Sequence, residues 1–224
     1  MERKIITTAD GSVTIHLPAW DEQYHSRHGA VQEAQHVFIK TGLHYFLKKY
    51  EAVEVKILEI GFGTGLNAFI TFLEMQKLQK KIYYTGVEAY PVNPEEIEKL
   101  NYPDILSAEK YKDVFAEMHL IPWNREVEIS KDFYLHKQKK KIEEISNVLK
   151  FNLIYFDAFG ARVQPELWTE EIFERMFNSL TPGGVLVTYA AKGSVRRAML
   201  KVGFKVEKLP GPPGKREMLR ALKD

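Results

Sequence analysis

Residues 57–65 combine one acid with three glycines at alternate positions: Glu59, Gly61, Gly63 and Gly65. The apolar residues before the first glycine predict a strand over 55–60, and a helix is expected over 66–79. Glycines at such a junction let the backbone turn sharply and let a ligand approach the main chain. The segment therefore predicts a nucleoside pocket at the carboxyl end of a parallel strand.

The spacing of the glycines separates ligand classes. It is Glu-x-Gly-x-Gly-x-Gly, whereas dinucleotide sites use Gly-x-Gly-x-x-Gly, and no Lys-Ser/Thr pair follows, which excludes a phosphate-binding P-loop. The pattern resembles motif I of class I S-adenosylmethionine (SAM)-dependent methyltransferases, in which the loop lies along the methionine part of SAM. A simple glycine turn is the alternative. The candidate SAM contacts in this segment are Glu59, Gly61, Phe62, Gly63, Thr64, Gly65 and Asn67.

A second acid follows the next predicted strand, over 82–88. Glu88 lies at its carboxyl end, roughly 20 residues past the glycines, where a carboxylate can accept hydrogen bonds from both ribose hydroxyls. A solvated acid at a strand end is the alternative. Together the glycines and Glu88 favour a nucleoside cofactor.

A short strand over 127–130 ends near a third acid, Asp132. At that place a carboxylate, or the amide beside it, meets an adenine amino group, and Phe133 can stack on the ring. The alternative is a capping Asp and a core Phe, and the two interpretations are equally weighted.

Asp157 follows the apolar strand 153–156, beside the glycine loop. A carboxylate there can orient an acceptor amine and take its proton. Methyl transfer is an in-line displacement, so positioning should supply most of the catalysis. Phe159 lies close by, and Tyr24 and Arg27 are candidates for a lid, with an ordinary surface loop as the alternative. His25 and His28 lack a third ligand, so no metal site is expected.

Composition limits the function classes. The chain has 224 residues, 45% hydrophobic residues, a net charge of +2 and no cysteine, which excludes disulfides, thiolate zinc sites and a Cys nucleophile. The start lacks a signal peptide and no run is long enough to span a membrane, so a cytoplasmic enzyme is expected. From residue 192 onward the sequence has ten basic residues and three acidic ones. This excess suits an anionic partner such as nucleic acid, or is an ordinary solvated surface.

Strands and helices alternate from residue 55 onward, which predicts an α/β fold with a doubly wound, mostly parallel sheet. An Asp-Gly turn between 5–7 and 13–17 predicts a hairpin, and a helix is expected over 30–49. We therefore expect an N-terminal hairpin and helix extension over 1–50 and a Rossmann-like domain over 51–224. The basic run 137–141 is expected to be a loop or a helix start. Other predicted elements are helices 94–100, 169–179 and 194–202, strand 185–189, and a closing hairpin of 206–209 with 217–222.

An ordered set of segments carries a more specific resemblance: Phe62-Gly63-Thr64-Gly65-Leu66-Asn67, Asp157-Ala158-Phe159, Pro165-Glu166-Leu167-Trp168, Thr181-Pro182-Gly183-Gly184, Val195-Arg196-Arg197, Gly203-Phe204 and Gly214-Lys215-Arg216-Glu217-Met218. This set resembles the methyltransferase domain of the MnmC family and runs from about residue 24 to residue 219. The segments at 62–67, 195–197 and 214–218 are much more specific than the glycines alone.

The resemblance implies SAM-dependent N-methylation of the aminomethyl group on the wobble (2-thio)uridine of tRNA. It implies that the glycines, Glu88 and Asp132 hold SAM and that Asp157 and Phe159 face the amine. The C-terminal basic segment would contact tRNA phosphates. The candidates for tRNA contacts are Arg27, Lys192, Arg196, Arg197, Lys215 and Arg216.

Two departures from the family pattern matter. Many members carry a fused FAD-dependent oxidase domain, and 224 residues are too few for one, so no FAD is expected. A separate oxidase, or the enzymes that form the aminomethyl group, would then supply the substrate. In addition, Gly160-Ala161-Arg162 stands where the family often has Ala-Pro, which predicts a differently shaped loop beside the acceptor. The alternatives are a small-molecule amine methyltransferase or aminopropyltransferase, and a SAM- or tRNA-binding module without catalysis.

Overall fold

The computed structural model describes residues 2–224 and begins with a small antiparallel sheet. Its strands are β1 (Lys4–Thr7), β2 (Val13–Leu17) and β3 (Glu22–Gln23). The Asp10 carboxylate closes the first turn, because it accepts hydrogen bonds from the Thr8 hydroxyl at 2.7 Å and the Ser12 amide at 3.1 Å. Gly11 supplies the positive φ, 83°, that the turn needs. The predicted N-terminal hairpin is confirmed.

One continuous helical segment follows, as predicted for 30–49. It comprises α1 (Ala30–Ala34), a π-helical stretch (Gln35–His44) and α2 (Tyr45–Tyr50). Inside the π-helical stretch the Thr41 hydroxyl donates to the Val37 carbonyl at 2.5 Å. Gly42 has no side chain and lets the helix approach Tyr155 and Val187 of the main sheet. The segment thus packs into the main core, while the proposed division of the chain at residue 50 stays a prediction.

The main sheet has eight strands. They are β4 (Glu54–Ile60), β5 (Lys81–Glu88), β6 (Glu126–Ser130), β7 (Phe133–Lys139), β8 (Phe151–Phe156), β9 (Leu180–Thr188), β10 (Lys205–Pro210) and β11 (Glu217–Leu222). Their order is β10-β11-β9-β8-β4-β5-β7-β6. The five central strands are parallel, and β6, β10 and β11 are antiparallel to their neighbours.

Helices cover the sheet on both faces. They are α3 (Leu66–Leu78), α4 (Pro94–Ile97), α5 (Tyr102–Ile105), α6 (Lys112–Leu120), α7 (Glu170–Ser179) and α8 (Gly193–Lys201). One apolar cluster joins the 30–50 segment, α3 and α6 to the sheet, and the other joins α7 and α8 to its opposite face. The predicted doubly wound, mostly parallel α/β fold is confirmed. Among the helices of residues 2–224, none is both long enough and apolar enough to cross a lipid bilayer.

The structure of residues 126–139 contradicts the predicted adenine contacts of Asp132 and Phe133. The segment 127–130 is an antiparallel edge strand, and the strand that joins the parallel set is β7. Its first residue, Phe133, pairs with Ile82 at the start of β5, so Asp132 and Phe133 lie at the amino ends of the parallel strands. The predicted adenine contacts of Asp132 and Phe133 are therefore wrong, because nucleoside ligands bind at the opposite, carboxyl ends. Phe133 is a fully buried core residue.

The prediction of a loop or helix start over 137–141 is wrong for residues 137–139, because these residues belong to β7. Lys137 is an interior residue of β7, only 1% exposed. Its ammonium donates to the His119 carbonyl at 2.5 Å and lies 4.8 Å from the centre of the Trp123 ring. Burial lowers the pKa of Lys137 to about 8. A buried lysine with partners on other elements cannot be distinguished from a solvated one in the sequence.

Candidate active site

The carboxyl ends of the central strands open into a cleft of about 1280 Å³. Its floor is formed by the ends of β4, β5 and β8, and its cover by residues 22–28 and the loop 211–216 between β10 and β11. Most of the predicted SAM contacts line it: Glu59, Gly61, Phe62, Gly63, Thr64, Asn67, Glu88 and Asp157. Gly65 caps the start of α3 with a φ of 72°. The tertiary structure thus brings these residues, which come from the ends of three strands, the glycine loop and the first turn of α3, to one place.

The glycine loop has backbone geometry that needs glycine. Gly61 has a φ of 87°, and a Cβ there would lie 2.6 Å from the backbone oxygen of Asp157. Its amide donates to the Val87 carbonyl at 3.0 Å. Gly63 has a φ of 51°, and its amide donates to the Glu88 carboxylate at 3.0 Å. The loop is therefore held between β5 and β8 in a shape that other residues strain.

A buried polar cluster lies beneath this loop. The Asn67 amide, in the first turn of α3, donates to the carboxylates of Glu59 and Asp157, each at 2.9 Å. Burial raises the pKa of Glu59, 1% exposed, well above its usual value. Within residues 2–224, the second oxygen of Glu59 and the oxygen of Asn67 are buried without hydrogen-bond partners. The Tyr84 hydroxyl lies near the Glu59 carboxylate and can donate to it, so the Asn67 oxygen is the acceptor left without a donor. A bound ammonium group would supply that donor.

Glu88 ends β5 at the other side of the glycine loop. Its two carboxylate oxygens accept hydrogen bonds from the amides of Gly63, at 3.0 Å, and Tyr90, at 2.9 Å. Each oxygen keeps a further lone pair for another donor. Glu88 is therefore fixed in position and still able to accept hydrogen bonds from a ribose diol.

The residues thus fit SAM. Glu59 and Asn67 would take the ammonium end, the glycine loop would lie along the methionine part, and Glu88 would hold the ribose. The end of β7 lacks an acid for the adenine ring: Lys139, Lys140 and Lys141 line the cleft there, followed by Glu143. Within residues 2–224, no group of three or more His, Cys, Asp or Glu side chains is arranged to hold a metal ion.

Asp157 and aromatic rings form the other end of the cleft. The rings of Tyr24 and Trp20 pack edge-on against Phe159, with centroid distances of 5.1 and 5.8 Å. Burial raises the pKa of Asp157 to about 7, and the Glu33 carboxylate contributes in the same direction. Burial also raises the pKa of Tyr24 to about 12, so its hydroxyl is neutral at physiological pH. The end of the cleft combines a proton acceptor poised near neutrality with flat apolar walls.

The predicted tRNA contacts divide into two groups. Lys192, just before α8, is exposed, as are Arg197 on α8 and Arg216 in the loop after β10, and Arg196 on α8 is half-buried. These four lie outside the cleft lining. Arg27 lines the cleft and bonds to Gln23 and Asp21. Lys215 points into the cleft, where it forms an ion pair with Glu33.

Sequence reasoning missed two cleft residues, Glu33 and Tyr189, and the contacts of Arg162 beside the cleft. Glu33 is 7% exposed on α1, and only its position on the apolar side of that helix hinted at burial. Tyr189 follows β9 and donates to the Ala158 carbonyl at 2.8 Å. Arg162, the departure from the family pattern, donates to the Trp20 and Asp21 carbonyls at 3.0 and 2.9 Å and pairs with Glu22. It ties the acceptor loop to the cover of the cleft.

A doubly wound sheet with a glycine loop, an acid placed for a ribose and a half-buried acceptor-side carboxylate defines the class I SAM-dependent methyltransferase fold and site. A family model described as S-adenosyl-L-methionine-dependent methyltransferase matches residues 106–224, just over half of the chain. The chain belongs to this family. The matched part contains Asp157 and the basic C-terminal segment, while the glycine loop precedes it.

Curated relatives confirm the resemblance to MnmC proteins. The tRNA 5-methylaminomethyl-2-thiouridine biosynthesis bifunctional protein MnmC of Leptospira interrogans is 30% identical over 212 residues, which cover 89% of this chain and 32% of that protein. The protein of the same name from Cupriavidus metallidurans is 27% identical over 226 residues, covering 95% and 33%. The chain thus spans about a third of the length of the curated relatives it matches.

Solved structures confirm the fold. MNMC2 from Aquifex aeolicus superimposes with a TM-score of 0.78 at 24% identity, covering 98% of this chain and 69% of that one. Spermidine synthase from Thermotoga maritima gives a TM-score of 0.58 at 15% identity, covering 99% and 68%. Methyltransferases and aminopropyltransferases share this architecture, so the acceptor has to be argued from the site.

Proposed function

We propose that the protein transfers a methyl group from SAM to the aminomethyl nitrogen at C5 of the wobble (2-thio)uridine in tRNA. The observation that carries this proposal is Asp157. Its carboxyl group ends the central strand β8 at the cleft wall, and the Phe159, Tyr24 and Trp20 rings lie beside it. A flat pyrimidine fits between such rings, and its amine would then reach the carboxylate. The names of the curated relatives point to the same nucleoside.

The chain's own residues perform positioning and proton transfer. SAM supplies an electrophilic methyl group on a sulfonium. Asn67 fixes one oxygen of Asp157 at 2.9 Å, which aims the other at the acceptor. Asp157 accepts a hydrogen bond from the amine, orients its lone pair and takes the proton it loses. Since the pKa of Asp157 is about 7, the group is half ionised near neutral pH and can both accept and release a proton.

The charges at the acceptor end favour a single amine. Glu33 is paired with Lys215 and Glu22 with Arg162, so two of the acids there are already neutralised. Asp157 has no basic partner within hydrogen-bonding distance in residues 2–224 and is bonded through Asn67. A polyamine acceptor needs several unpaired carboxylates along its length. The pairing of Glu22 and Glu33 leaves fewer free carboxylates for a polyamine, although Glu143 and Glu166 also line the cleft.

The basic C-terminal surface supports an RNA acceptor. Lys192, Arg197 and Arg216 are exposed cations within a segment that has ten basic and three acidic residues from 192 onward. Phosphate contacts of such residues supply the salt-dependent part of nucleic-acid affinity. With tRNA as acceptor, the proposal also places the protein in the cytoplasm. A separate oxidase, or the enzymes that form the aminomethyl group, would provide the substrate.

The test is label transfer. Purified protein is incubated with methyl-labelled SAM and bulk tRNA from a strain that lacks this methylation, and the tRNA is digested to nucleosides. Label in methylaminomethyl-(2-thio)uridine supports the proposal, and Asp157→Asn should abolish it. Parallel reactions contain putrescine with decarboxylated SAM, or small amines with SAM. Transfer to these acceptors and none to tRNA would replace the proposed acceptor, while SAM binding in calorimetry without any transfer would favour a binding module.

A further inference from the structure

An ion pair lies at the acceptor end of the cleft. Glu33 of α1 and Lys215 of the loop 211–216 are 182 positions apart in the chain, and the Lys215 ammonium donates to a Glu33 carboxylate oxygen. The other oxygen of Glu33 accepts the Ser26 amide at 3.0 Å. The pair therefore joins three pieces of chain: α1, the 211–216 loop, and the 22–28 segment that covers the cleft.

Contacts lead from this pair to Asp157. The Lys215 nitrogen lies 3.8 Å from the centre of the Tyr189 ring, a cation–π contact. The Tyr189 hydroxyl donates at 2.8 Å to the carbonyl of Ala158, the residue that follows Asp157. An anion and a cation are thus held beside the carboxyl group that faces the acceptor.

The groups that face Asp157 come from several elements. Asn67 on α3 donates a hydrogen bond, Glu59 on β4 shares that amide, and the hydroxyls of Tyr84 on β5 and Tyr189 after β9 lie nearby. Glu33 and Lys215 act on Asp157 in opposite directions: the Glu33 carboxylate raises its pKa and the Lys215 ammonium lowers it. Their effects therefore cancel in part while both are present.

We propose that the Glu33–Lys215 ion pair positions the acceptor reaction, by fixing the cover of the cleft and by balancing charge beside Asp157 so that the proton of the amine goes to Asp157. The inference rests on the proposed function and deepens it. It gives Lys215 a role inside the cleft in place of a phosphate contact on the surface.

The proton balance of the step shows why the pair matters. The amine nitrogen forms one bond to the methyl carbon as the bond from that carbon to sulfur breaks, and the nitrogen loses one proton to the Asp157 carboxylate. Without Lys215, the charge of Glu33 is unopposed, and Asp157 and the bound amine both hold protons to higher pH. Without the Glu33 charge, Lys215 acts alone and both release protons at lower pH. The sign of the effect is therefore the same whichever of the two groups limits turnover.

The first measurement follows the Asp157 carboxyl directly. Protein with ¹³C-labelled Asp carboxyl groups is titrated by NMR, and the Asp157 signal is assigned by its loss in Asp157→Asn. We expect Lys215→Met to raise the midpoint by at least about half a pH unit and Glu33→Gln to lower it by a similar amount. The double variant should return close to the native midpoint. Lys215→Arg, which keeps the positive charge, should also have the native midpoint. Lys215→Gln gives the same test should Lys215→Met fail to fold.

A matched ion pair serves as control. Glu74 and Lys77 form a pair of the same residue types on α3, at 2.6 Å, outside the cleft lining. Glu74→Gln and Lys77→Met should leave the midpoint unchanged. Midpoints that do not move in Lys215→Met and Glu33→Gln, or that move in the same direction, would overturn the proposal.

The second measurement is the pH dependence of kcat for methyl transfer to tRNA. The acidic limb of the kcat profile should move to higher pH in Lys215→Met and to lower pH in Glu33→Gln. Both variants should retain SAM affinity in calorimetry. A lower kcat with an unmoved limb would show a merely structural pair and overturn the proposal. The carboxyl titration needs no acceptor, so opposite shifts there without transfer to tRNA would uphold the pair and reject the proposed substrate.

Discussion

Asp157→Asn should stabilise the protein at neutral pH while it abolishes methyl transfer. The pKa of Asp157 rises from 3.8 to about 7 on folding, mainly through burial. Between these values the unfolded chain releases the proton and the folded chain keeps it. The contribution of Asp157 to stability therefore falls as pH rises from about 4 to about 7 and then stays constant.

The magnitude follows from the same two values. Each pKa unit corresponds to about 1.4 kcal/mol, so the full difference is about 4 kcal/mol. Because the carboxyl group is partly open to water in the cleft, we expect about 2 to 4 kcal/mol above pH 8. An amide at position 157 carries no charge, and its oxygen can still accept the Asn67 hydrogen bond. For a chain of 224 residues this corresponds to an increase in Tm of roughly 5 to 15 °C.

The assay is denaturant unfolding of the native protein and of Asp157→Asn from pH 4.5 to pH 8.5. The stability difference should grow by about 1 kcal/mol per pH unit up to pH 7 and then level off. Asp132→Asn, in the turn between β6 and β7, is the matched control and should change stability by less than about 0.5 kcal/mol throughout. A difference for Asp157→Asn that is equal at pH 4.5 and pH 8, or that favours the native protein at pH 8, would refute the reasoning. Turnover should be lost, which means a fall of at least roughly 100-fold, with SAM binding retained.

Three further predictions concern the cofactor and acceptor ends. Gly61→Ala should destabilise the fold by about 1 to 3 kcal/mol and abolish SAM binding in calorimetry, because its Cβ would lie 2.6 Å from the Asp157 carbonyl oxygen at a φ of 87°; unchanged binding would contradict the loop assignment. Glu88→Ala should weaken SAM binding by at least about tenfold through loss of charged hydrogen bonds, whereas an unchanged Kd would remove Glu88 from the site. Tyr24→Phe should keep kcat within about twofold, since burial already keeps the hydroxyl neutral, and Tyr24→Ala should lower kcat/KM about tenfold by removing the ring that packs on Phe159. Equal losses in the two Tyr24 variants would instead assign the role to the hydroxyl.

Several parts of the site were readable in the sequence because their signals are local. The glycine spacing after an apolar strand, and the acids Glu88 and Asp157 at the ends of two further strands, each depend on a few consecutive residues. Parallel strands align their carboxyl ends, so alternation of strands and helices was enough to predict that these acids meet. The hairpin around Gly11 and the helix from residue 30 were equally local.

The errors lie where partners are distant in the chain. The sequence 133–139 shows no apolar run, since Lys137 is a strand interior residue whose charge is accommodated by the His119 carbonyl and the Trp123 ring. The sequence also does not show that 126–130 is an antiparallel edge strand, which places Asp132 at the amino ends of the parallel strands.

Local patterns in the chain are enough to predict the fold class, the glycine loop and the carboxylate of Asp157, because a few neighbouring residues encode each strand end and turn. Which charges face that carboxylate depends on the packing of segments that are distant in the chain. In the sequence, Lys215 cannot be distinguished from the other basic residues near the C-terminus, and Glu33 cannot be distinguished from other acids on helices. Folding places them together beside Asp157, since the cost of burying the Glu33 charge is reduced by the partly exposed ammonium group that pairs with it.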